Sequence, residues 1–162
     1  MNKLIPLSLI FISSFSVFAK ATRTEVFDAP IETIYQVIVD FAKYPDFVDG
    51  VKKIRIIEQS ETNAKVEYSL DVIKTFQYII NTKMERPNLV EWKLDSGDLF
   101  KKNDGQWKLK SIDSSHTEVT FTLDSDFKGF VPHYIVEKLT EKNLPEMMAA
   151  FKNRSNRLKP NH

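Results

Sequence analysis

The sequence predicts an α+β domain in which a curved antiparallel sheet of about seven strands wraps around a long, kinked C-terminal helix. Three observations support this fold class. Six segments after residue 50 alternate apolar and polar residues, which is typical of strands with one buried and one solvated face. A short strand and a helical segment precede them, and the last segment has helical spacing. A one-sided sheet must cover its apolar face, and the last helix is the element available to cover it.

The first elements are predicted between residues 22 and 50. Residues 22–27 form a short strand, and Pro30 opens a helix in which apolar residues recur with helical spacing as far as Phe41. Residues 44–50 end this helix with one further turn, and Gly50 allows a sharp reversal of the chain. We therefore expect two short helices after the first strand.

The middle of the chain is predicted to be a meander of six strands. The clearest alternation lies in residues 64–72, and short polar connections at 60–63 and 113–115 fit hairpins. No internal repeat or linker interrupts the series, so we expect no second domain. The predicted strands are 51–58, 64–72, 76–81, 90–95, 106–110 and 118–124.

The terminal helix is predicted over residues 132–157, with a kink. Its first apolar stripe ends at Leu139 and its second begins at Leu144, so the stripe slips by about 100° between them. Pro145 follows this slip, and a proline inside a helix removes a hydrogen bond and clashes with the preceding turn. We expect the kink between Glu141 and Pro145.

Composition excludes several classes of function. The chain has 162 residues, 23 basic and 22 acidic side chains, and no Cys. Its length fits one domain. The lack of Cys excludes disulfides, thiolate zinc sites, iron–sulfur clusters and cysteine nucleophiles. The balanced charge argues against a nucleic-acid partner, because such binding depends on an excess of basic groups.

The N-terminal segment has the layout of a secretory signal peptide. Lys3 precedes an uncharged stretch over residues 4–18, and short side chains precede two alternative cleavage points, after Ala19 and after Ala21. The stretch is shorter than the ~20 apolar residues that span a bilayer. We expect a signal peptide at residues 1–19, a mature domain at 20–162, and a secreted, periplasmic protein.

Four short motifs carry a resemblance to a known family. The motifs are FDAP at residues 27–30, DFAKYPDFV at 40–48, Leu99-Phe100 followed by GQW at 105–107, and the spacing of Met148, Ala150 and Phe151. In these motifs the chain resembles the polyketide cyclase / coenzyme Q-binding branch of the START/Bet v 1-like (SRPBCC) superfamily, over about residues 22–157. The resemblance implies a helix-grip fold.

This resemblance implies a hydrophobic cavity between the sheet and the last helix, used for lipids, quinones or polyketides. Large flat rings fill a concave sheet poorly and Met adapts to irregular shapes, which agrees with such a cavity. An ordinary packed core is the alternative. The side chains expected to bind the ligand are Tyr68, Phe76, Tyr78, Trp92, Trp107, Phe121, Phe130, Ile135, Leu139, Met147 and Met148.

Apolar residues also occur where the pattern predicts loops. Leu99 and Phe100 fall in a charged hairpin, and Phe127, Phe130 and Val131 precede the last helix. We expect these five side chains to be pocket lids or to make transient membrane contacts, with capping of the core ends as the alternative.

Candidates for catalysis are few. His116 lies in a turn, His133 opens the last helix and His162 is near the chain end, and no spacing is typical of a metal site or a nucleotide-binding loop. A cyclase could work with Tyr68, Tyr78 or Arg86 as a lone polar group. We therefore predict no catalytic residues, no metal and no cofactor.

Together these observations predict a secreted START-like protein that binds a hydrophobic small molecule without chemistry. The open alternative is an aromatase/cyclase-type enzyme that uses the same pocket, which would need convergent acid and base groups in the cavity. A third hypothesis is an interaction protein, which a solid core without a cavity would favour.

Overall fold

A computed structural model describes residues 18–71, 74–138 and 143–160. The sheet contains β1 (Phe18–Phe27), β2 (Val51–Gln59), β3 (Asn63–Asp71), β4 (Thr75–Glu85), β5 (Leu89–Gly97), β6 (Phe100–Ser111) and β7 (Thr117–Phe127). The helices are α1 (Ile31–Val39), a 3₁₀ helix (Phe41–Asp46), α2 (His133–Glu137) and α3 (Asn143–Leu158). Residues 1–17, which hold most of the expected signal peptide, lie outside the described residues.

All neighbouring strands in the sheet are antiparallel, in the order β1-β7-β6-β5-β4-β3-β2. Strands β2 to β7 follow one another as a meander, and β1 returns to pair with β7 over its whole length. Register shifts interrupt the β2–β3, β4–β5 and β6–β7 pairs, and such bulges bend a sheet. The expected helix-grip architecture, with its curved sheet and short helices after the first strand, is confirmed.

The helices cover the apolar face of this sheet. Helix α1 ends at Val39, and the 3₁₀ helix is tied to it by the Tyr44 hydroxyl, which donates to the Ile38 carbonyl oxygen at 2.5 Å. Helix α3 buries Met148 and Phe151, and the Phe151 ring contacts Tyr44 at 5.1 Å between centroids. The core therefore lies between the sheet, the 3₁₀ helix and α3.

The C-terminal segment is helical on both sides of residues 139–142. Leu139, an expected ligand-binding residue, lies outside the described residues. So do residues 141 and 142 of the segment where the kink is expected, 141–145. Pro145 is the third residue of α3 as described, from Asn143 to Leu158.

Strands β6 and β7 are longer than the sequence pattern predicts. The prediction that Phe100 and Phe127 lie in loops is wrong: Phe100 begins β6, Phe127 ends β7, and the two pair in register. Leu99 lies in the β5–β6 connection, as expected, and all three side chains are buried. The pattern failed because the inward position of β6 near its start holds Asn103, so apolar alternation is absent there. None of the helices in the described part of the chain combines the length and apolar character needed to cross a membrane.

Candidate ligand-binding site

A cavity of about 170 Å³ lies between the inner face of the sheet and the helices that cover it. Side chains from β3 to β7, the 3₁₀ helix and α3 line its walls. Asp49 is exposed and Asn143 is half-buried, so these two residues mark where the cavity reaches the surface. The position is the one that the sequence predicts, between the sheet and the last helix.

Aromatic rings make up much of the wall because strand register places them side by side. Tyr68 and Tyr78 are opposite each other in β3 and β4, and their rings stack at 5.0 Å between centroids and 12° between planes. Trp107 and Phe121 are opposite each other in β6 and β7, with centroids 4.6 Å apart. The Trp92 ring lies 5.5 Å from Phe121 and extends the same surface.

Two glycines make room for these rings. Gly105 is opposite Trp92, and a Cβ added at Gly105 would lie 2.7 Å from Cη2 of Trp92 and closer still to Cζ2. Gly97 is opposite Tyr78, and a Cβ there would lie 2.7 Å from Cβ of Tyr78. The Trp92 ring and the base of the Tyr78 side chain therefore occupy space on the sheet that only a residue without a side chain leaves free.

Polar groups cross the aromatic wall in one line. Thr82 is opposite Trp92 in the register of β4 and β5, and Nε1 of Trp92 donates a hydrogen bond to Oδ1 of Asn103 at 3.2 Å. Asn103 is in turn opposite Ser125 in β6 and β7. All four residues line the cavity. We call Thr82, Asn103 and Ser125, with the Trp92 indole N–H, the polar band.

The lining carries little charge. Asp49, at the rim, is the one ionisable carboxylate or amine among the described lining residues. Burial raises the pKa of the Tyr44, Tyr68 and Tyr78 hydroxyls above their ordinary value. These hydroxyls therefore stay protonated at neutral pH and are available to the cavity as hydrogen-bond donors, except that Tyr44 already donates to Ile38.

The family described as polyketide cyclase / dehydrase and lipid transport matches residues 27–152, which is most of the chain. This chain belongs to that family. The START/SRPBCC-type relationship indicated by the sequence motifs is thereby confirmed.

Individual members show how far the similarity extends. The ribosome association toxin RatA of Escherichia coli (strain K12) is 26% identical over 141 residues, covering 83% of this chain and 85% of RatA. The aromatase/cyclase Zhui of Streptomyces sp. R1128 superposes with a TM-score of 0.75 at 16% identity, covering 87% of this chain and 95% of Zhui. A START superfamily protein of Mycobacterium smegmatis has a TM-score of 0.76 at 21% identity, with coverage of 86% and 99%. At these identities the two structures show a common fold.

The expected ligand-binding residues lie in different parts of this polyketide cyclase / dehydrase fold, and only some of them border the cavity. Six of them border the cavity, while Met148 is fully buried in the main core. Phe76 and Ile135 do not line the cavity; they belong to a second apolar cluster near the end of the sheet. The six that border the cavity are Tyr68, Tyr78, Trp92, Trp107, Phe121 and Met147.

The five residues expected to form a lid also separate. Phe100 and Phe127 line the cavity, with ring centroids 5.3 Å apart. Leu99 and Val131 are buried in the second apolar cluster. Phe130 is 94% exposed, so it touches neither the cavity nor the core.

Sequence reasoning missed the polar band and several lining residues. Ser125 continues the inward series of Val119, Phe121 and Leu123 along β7, so strict alternation would have identified it. Thr82 likewise continues the inward series of Phe76, Tyr78 and Ile80 along β4. Asn103 carries a weaker signal, because the next inward position, Gly105, has no side chain. Further lining residues missed are Phe41, Tyr44, Val48, Asp49, Val51, Leu70, Ile80, Val90, Leu123, Asn143 and Phe151.

The remaining polar candidates lie away from the cavity. His116 is exposed in the β6–β7 turn, where its Nδ1 lies 2.9 Å from Asp113, and His133 is exposed at the start of α2. Arg86 pairs with Glu32 at 2.9 Å on the surface. Across the described residues, no group of three or more His, Asp or Glu side chains is placed to hold a metal ion.

Proposed function

We propose that this protein binds a hydrophobic small molecule in the cavity between the sheet and α3, and carries it without converting it. One observation carries the proposal: an aromatic-lined cavity of about 170 Å³ lies at the centre of the fold, where a packed core would leave no such space. Large side chains border it on every strand from β3 to β7, and the described lining is almost without charge.

The cavity volume limits the size of the enclosed group. A dry cavity of about 150 Å³ holds one benzene molecule, so 170 Å³ suits one ring or a short chain. Burying ~8 methylene groups would contribute ~6 kcal/mol of transfer free energy before the costs of association. Even before those costs, ~6 kcal/mol corresponds to a Kd of only about 40 μM, so the enclosed group alone supports weak binding. Tighter binding needs a longer ligand that extends past Asp49 to the surface.

The chemistry of the lining supports binding rather than catalysis. The buried tyrosines keep their protons because burial raises their pKa, so they do not act as bases at neutral pH. The carboxylate of Asp49 lies exposed at the rim, and His116 and His133 are elsewhere on the surface. The alternative, an aromatase/cyclase of the kind named for the Streptomyces protein, would have to use Tyr68 or Tyr78 as a lone proton donor.

Ribosome association, which is part of the name of the E. coli relative, is not part of the proposal. Binding to RNA depends strongly on neutralising phosphates with basic side chains. The chain has 23 basic and 22 acidic side chains, so it has no excess charge for that purpose.

We also propose that the protein is exported to the periplasm by residues 1–19. The uncharged stretch after Lys3 supports this. Cleavage after Ala19 would leave Lys20–Phe27 of β1 to pair with β7. Mass spectrometry of the N-terminal peptide from fractionated cells tests this: a mature N-terminus at residue 20 or 22 in the periplasmic fraction is expected, and intact chain in the cytoplasm would overturn it.

Trp92 and Trp107 provide a direct test of ligand binding. They are the only two Trp residues in the chain and both line the cavity, so the two indole N–H peaks of a ¹⁵N-labelled sample report on its contents. We expect ethylbenzene to shift both peaks in a saturable manner. Leu123→Phe, which crowds the cavity with another ring, should reduce or abolish the shift, whereas Lys110→Phe, which adds the same ring to the exposed side of β6, should not.

Native mass spectrometry of protein purified from its own host can identify the natural ligand. We expect an apolar molecule to accompany the wild type and Lys110→Phe but not Leu123→Phe, and to be recovered chemically unchanged after incubation. Protein that is purified without a bound molecule, and whose indole N–H peaks do not shift with ethylbenzene, would contradict the carrier function. Recovery of a cyclised or dehydrated product would favour the aromatase/cyclase alternative.

A further inference from the structure

The polar band runs across four strands on the floor of the cavity. Thr82, Trp92, Asn103 and Ser125 belong to β4, β5, β6 and β7 in that order. Register places Thr82 opposite Trp92 and Asn103 opposite Ser125, and the hydrogen bond from the Trp92 indole to Asn103 joins the two pairs. Directly opposed residues in antiparallel strands have Cβ atoms about 5 Å apart. A single small group on a ligand can therefore reach two members of the band at once.

Two hydroxyls of the band are buried without a partner. Among the described residues, neither Oγ of Ser125 nor Oγ1 of Thr82 has a hydrogen-bond partner, although Ser125 is only 1% exposed. Buried polar atoms in folded proteins are almost always hydrogen-bonded, so an unpaired buried hydroxyl beside a cavity indicates a missing partner. Both residues line the cavity, so a ligand there lies next to the side chains that carry these hydroxyls.

The orientation of Asn103 shows what kind of partner is missing. The Trp92 indole N–H can only donate, so the amide oxygen of Asn103 faces it and the amide NH₂ is turned away. The band thus offers an N–H donor from Asn103 and two hydroxyls, of Ser125 and Thr82, that can donate or accept. All three groups can donate at once to one acceptor, such as a carbonyl oxygen.

Charge on the lining excludes the commonest anionic acceptor. The described lining residues include no Lys, Arg or His, and their one charged group is the Asp49 carboxylate at the rim. A carboxylate placed against the band would be buried without a counter-ion, which is strongly unfavourable. The acceptor that fits is uncharged.

We propose that Ser125, Asn103 and Thr82 form a hydrogen-bonding site that selects a neutral, carbonyl-bearing ligand over its hydrocarbon and carboxylate analogues. The inference rests on the proposed function and adds the chemical class of the ligand. The ring or chain of the ligand lies against Trp107 and Phe121, and its carbonyl oxygen accepts hydrogen bonds from the band.

Ethylbenzene, acetophenone and benzoate test the site, because they share one ring and differ in the end group. Affinities are measured from the two indole N–H peaks. Water solvates acetophenone better than ethylbenzene, so a purely apolar cavity would bind acetophenone more weakly. We expect acetophenone to bind at least as tightly as ethylbenzene, and benzoate to bind at least about 10-fold more weakly at pH 7.

Two variants remove donors from the band, and one provides the control. Ser125→Ala and the isosteric Thr82→Val should each lower the affinity for acetophenone, by about 10-fold for a hydrogen bond of typical strength, and leave that for ethylbenzene unchanged. Ser155→Ala removes another buried, unpaired hydroxyl, in α3 outside the cavity lining, and should change neither affinity. Thr82→Val keeps the test available if Ser125→Ala does not fold.

The outcomes separate this inference from the function on which it rests. Ethylbenzene binding with weaker acetophenone binding, unaffected by either band variant, would overturn the carbonyl site and leave the hydrophobic carrier intact. Tightest binding of benzoate would also overturn it. If none of the three compounds shifts either indole peak, the carrier function itself fails and the carbonyl site fails with it.

Discussion

Gly105→Ala is expected to disturb the cavity wall more than any other small change to the chain. The added methyl group would lie 2.7 Å from Cη2 of Trp92, closer to Cζ2, and closer than 2.7 Å to the backbone carbonyl oxygen of Thr122. Carbon atoms in contact prefer about 3.5–4.0 Å, so the Trp92 ring and the β7 backbone must each move by about 1 Å.

The expected cost follows from these distances. Overpacking by one methyl group in a closed site costs about 1–3 kcal/mol, and the rigid carbonyl places this substitution near the upper end. Reduced flexibility of the unfolded chain returns about 0.4–1 kcal/mol. We expect a net loss of about 2 kcal/mol, which lowers the melting temperature by about 4–8 °C in a chain of this size.

A double-mutant cycle with Trp92→Ala isolates the contribution of the ring. Urea unfolding of wild type, Gly105→Ala, Trp92→Ala and the double variant gives the coupling free energy. Without the indole only the clash with Thr122 remains, so the double variant should be more stable than the sum of the single effects by about 1 kcal/mol. If the two changes add within about 0.3–0.5 kcal/mol, the ring does not lie over Gly105 and the account of the wall is refuted.

Further predictions concern the core, the surface and acid stability. Phe151→Ala should cost about 3–5 kcal/mol because Phe151 is buried in the core, whereas Phe130→Ala should change the unfolding free energy by less than about 0.5 kcal/mol because its ring is exposed. If Phe130 makes the expected membrane contact, Phe130→Ala should also reduce co-sedimentation with phosphatidylcholine vesicles; unchanged co-sedimentation would exclude that role. Arg55 donates hydrogen bonds from Nε and Nη2 to the Glu67 carboxylate and holds the pKa of that carboxyl below its ordinary value. The pair therefore stabilises the fold at neutral pH, and this stabilisation is lost as the pH falls below that ordinary value. Glu67→Gln should therefore lower the urea midpoint more at pH 7 than at pH 3. Glu61→Gln, in the exposed β2–β3 turn, is the control, and an equal effect at both pH values would contradict the ion-pair explanation.

Local patterns were sufficient to predict most of the fold. Alternation places Tyr68 and Phe121 on one face of their strands because successive side chains in a strand point to opposite sides. The same reasoning failed at the start of β6, where Asn103 and Gly105 occupy inward positions. Those residues are polar or lack a side chain because they belong to the cavity wall, so the pattern is weakest where the site lies.

The sequence predicted the residues of the candidate site less completely than it predicted the fold. Phe76, Trp107 and Met148 all point inward, yet only Trp107 borders the cavity. Phe76 packs with Phe127 and its neighbours in the second apolar cluster, and Met148 fills the space under α3. An apolar inward residue has the same signature in the sequence whether it faces a neighbour or an empty space.

Local spacing and short motifs were enough to predict the order of the elements, the face each strand presents to the core, and the family to which the chain belongs. The position of the cavity and the residues that border it depend on tertiary structure. The polar band joins residues 82 and 92, and residues 103 and 125, through strand register, and one side-chain hydrogen bond joins the two pairs; both kinds of contact depend on pairing between distant segments. The space between Trp107, Phe121 and α3 depends on how closely the helix approaches the sheet, a distance that no local pattern contains.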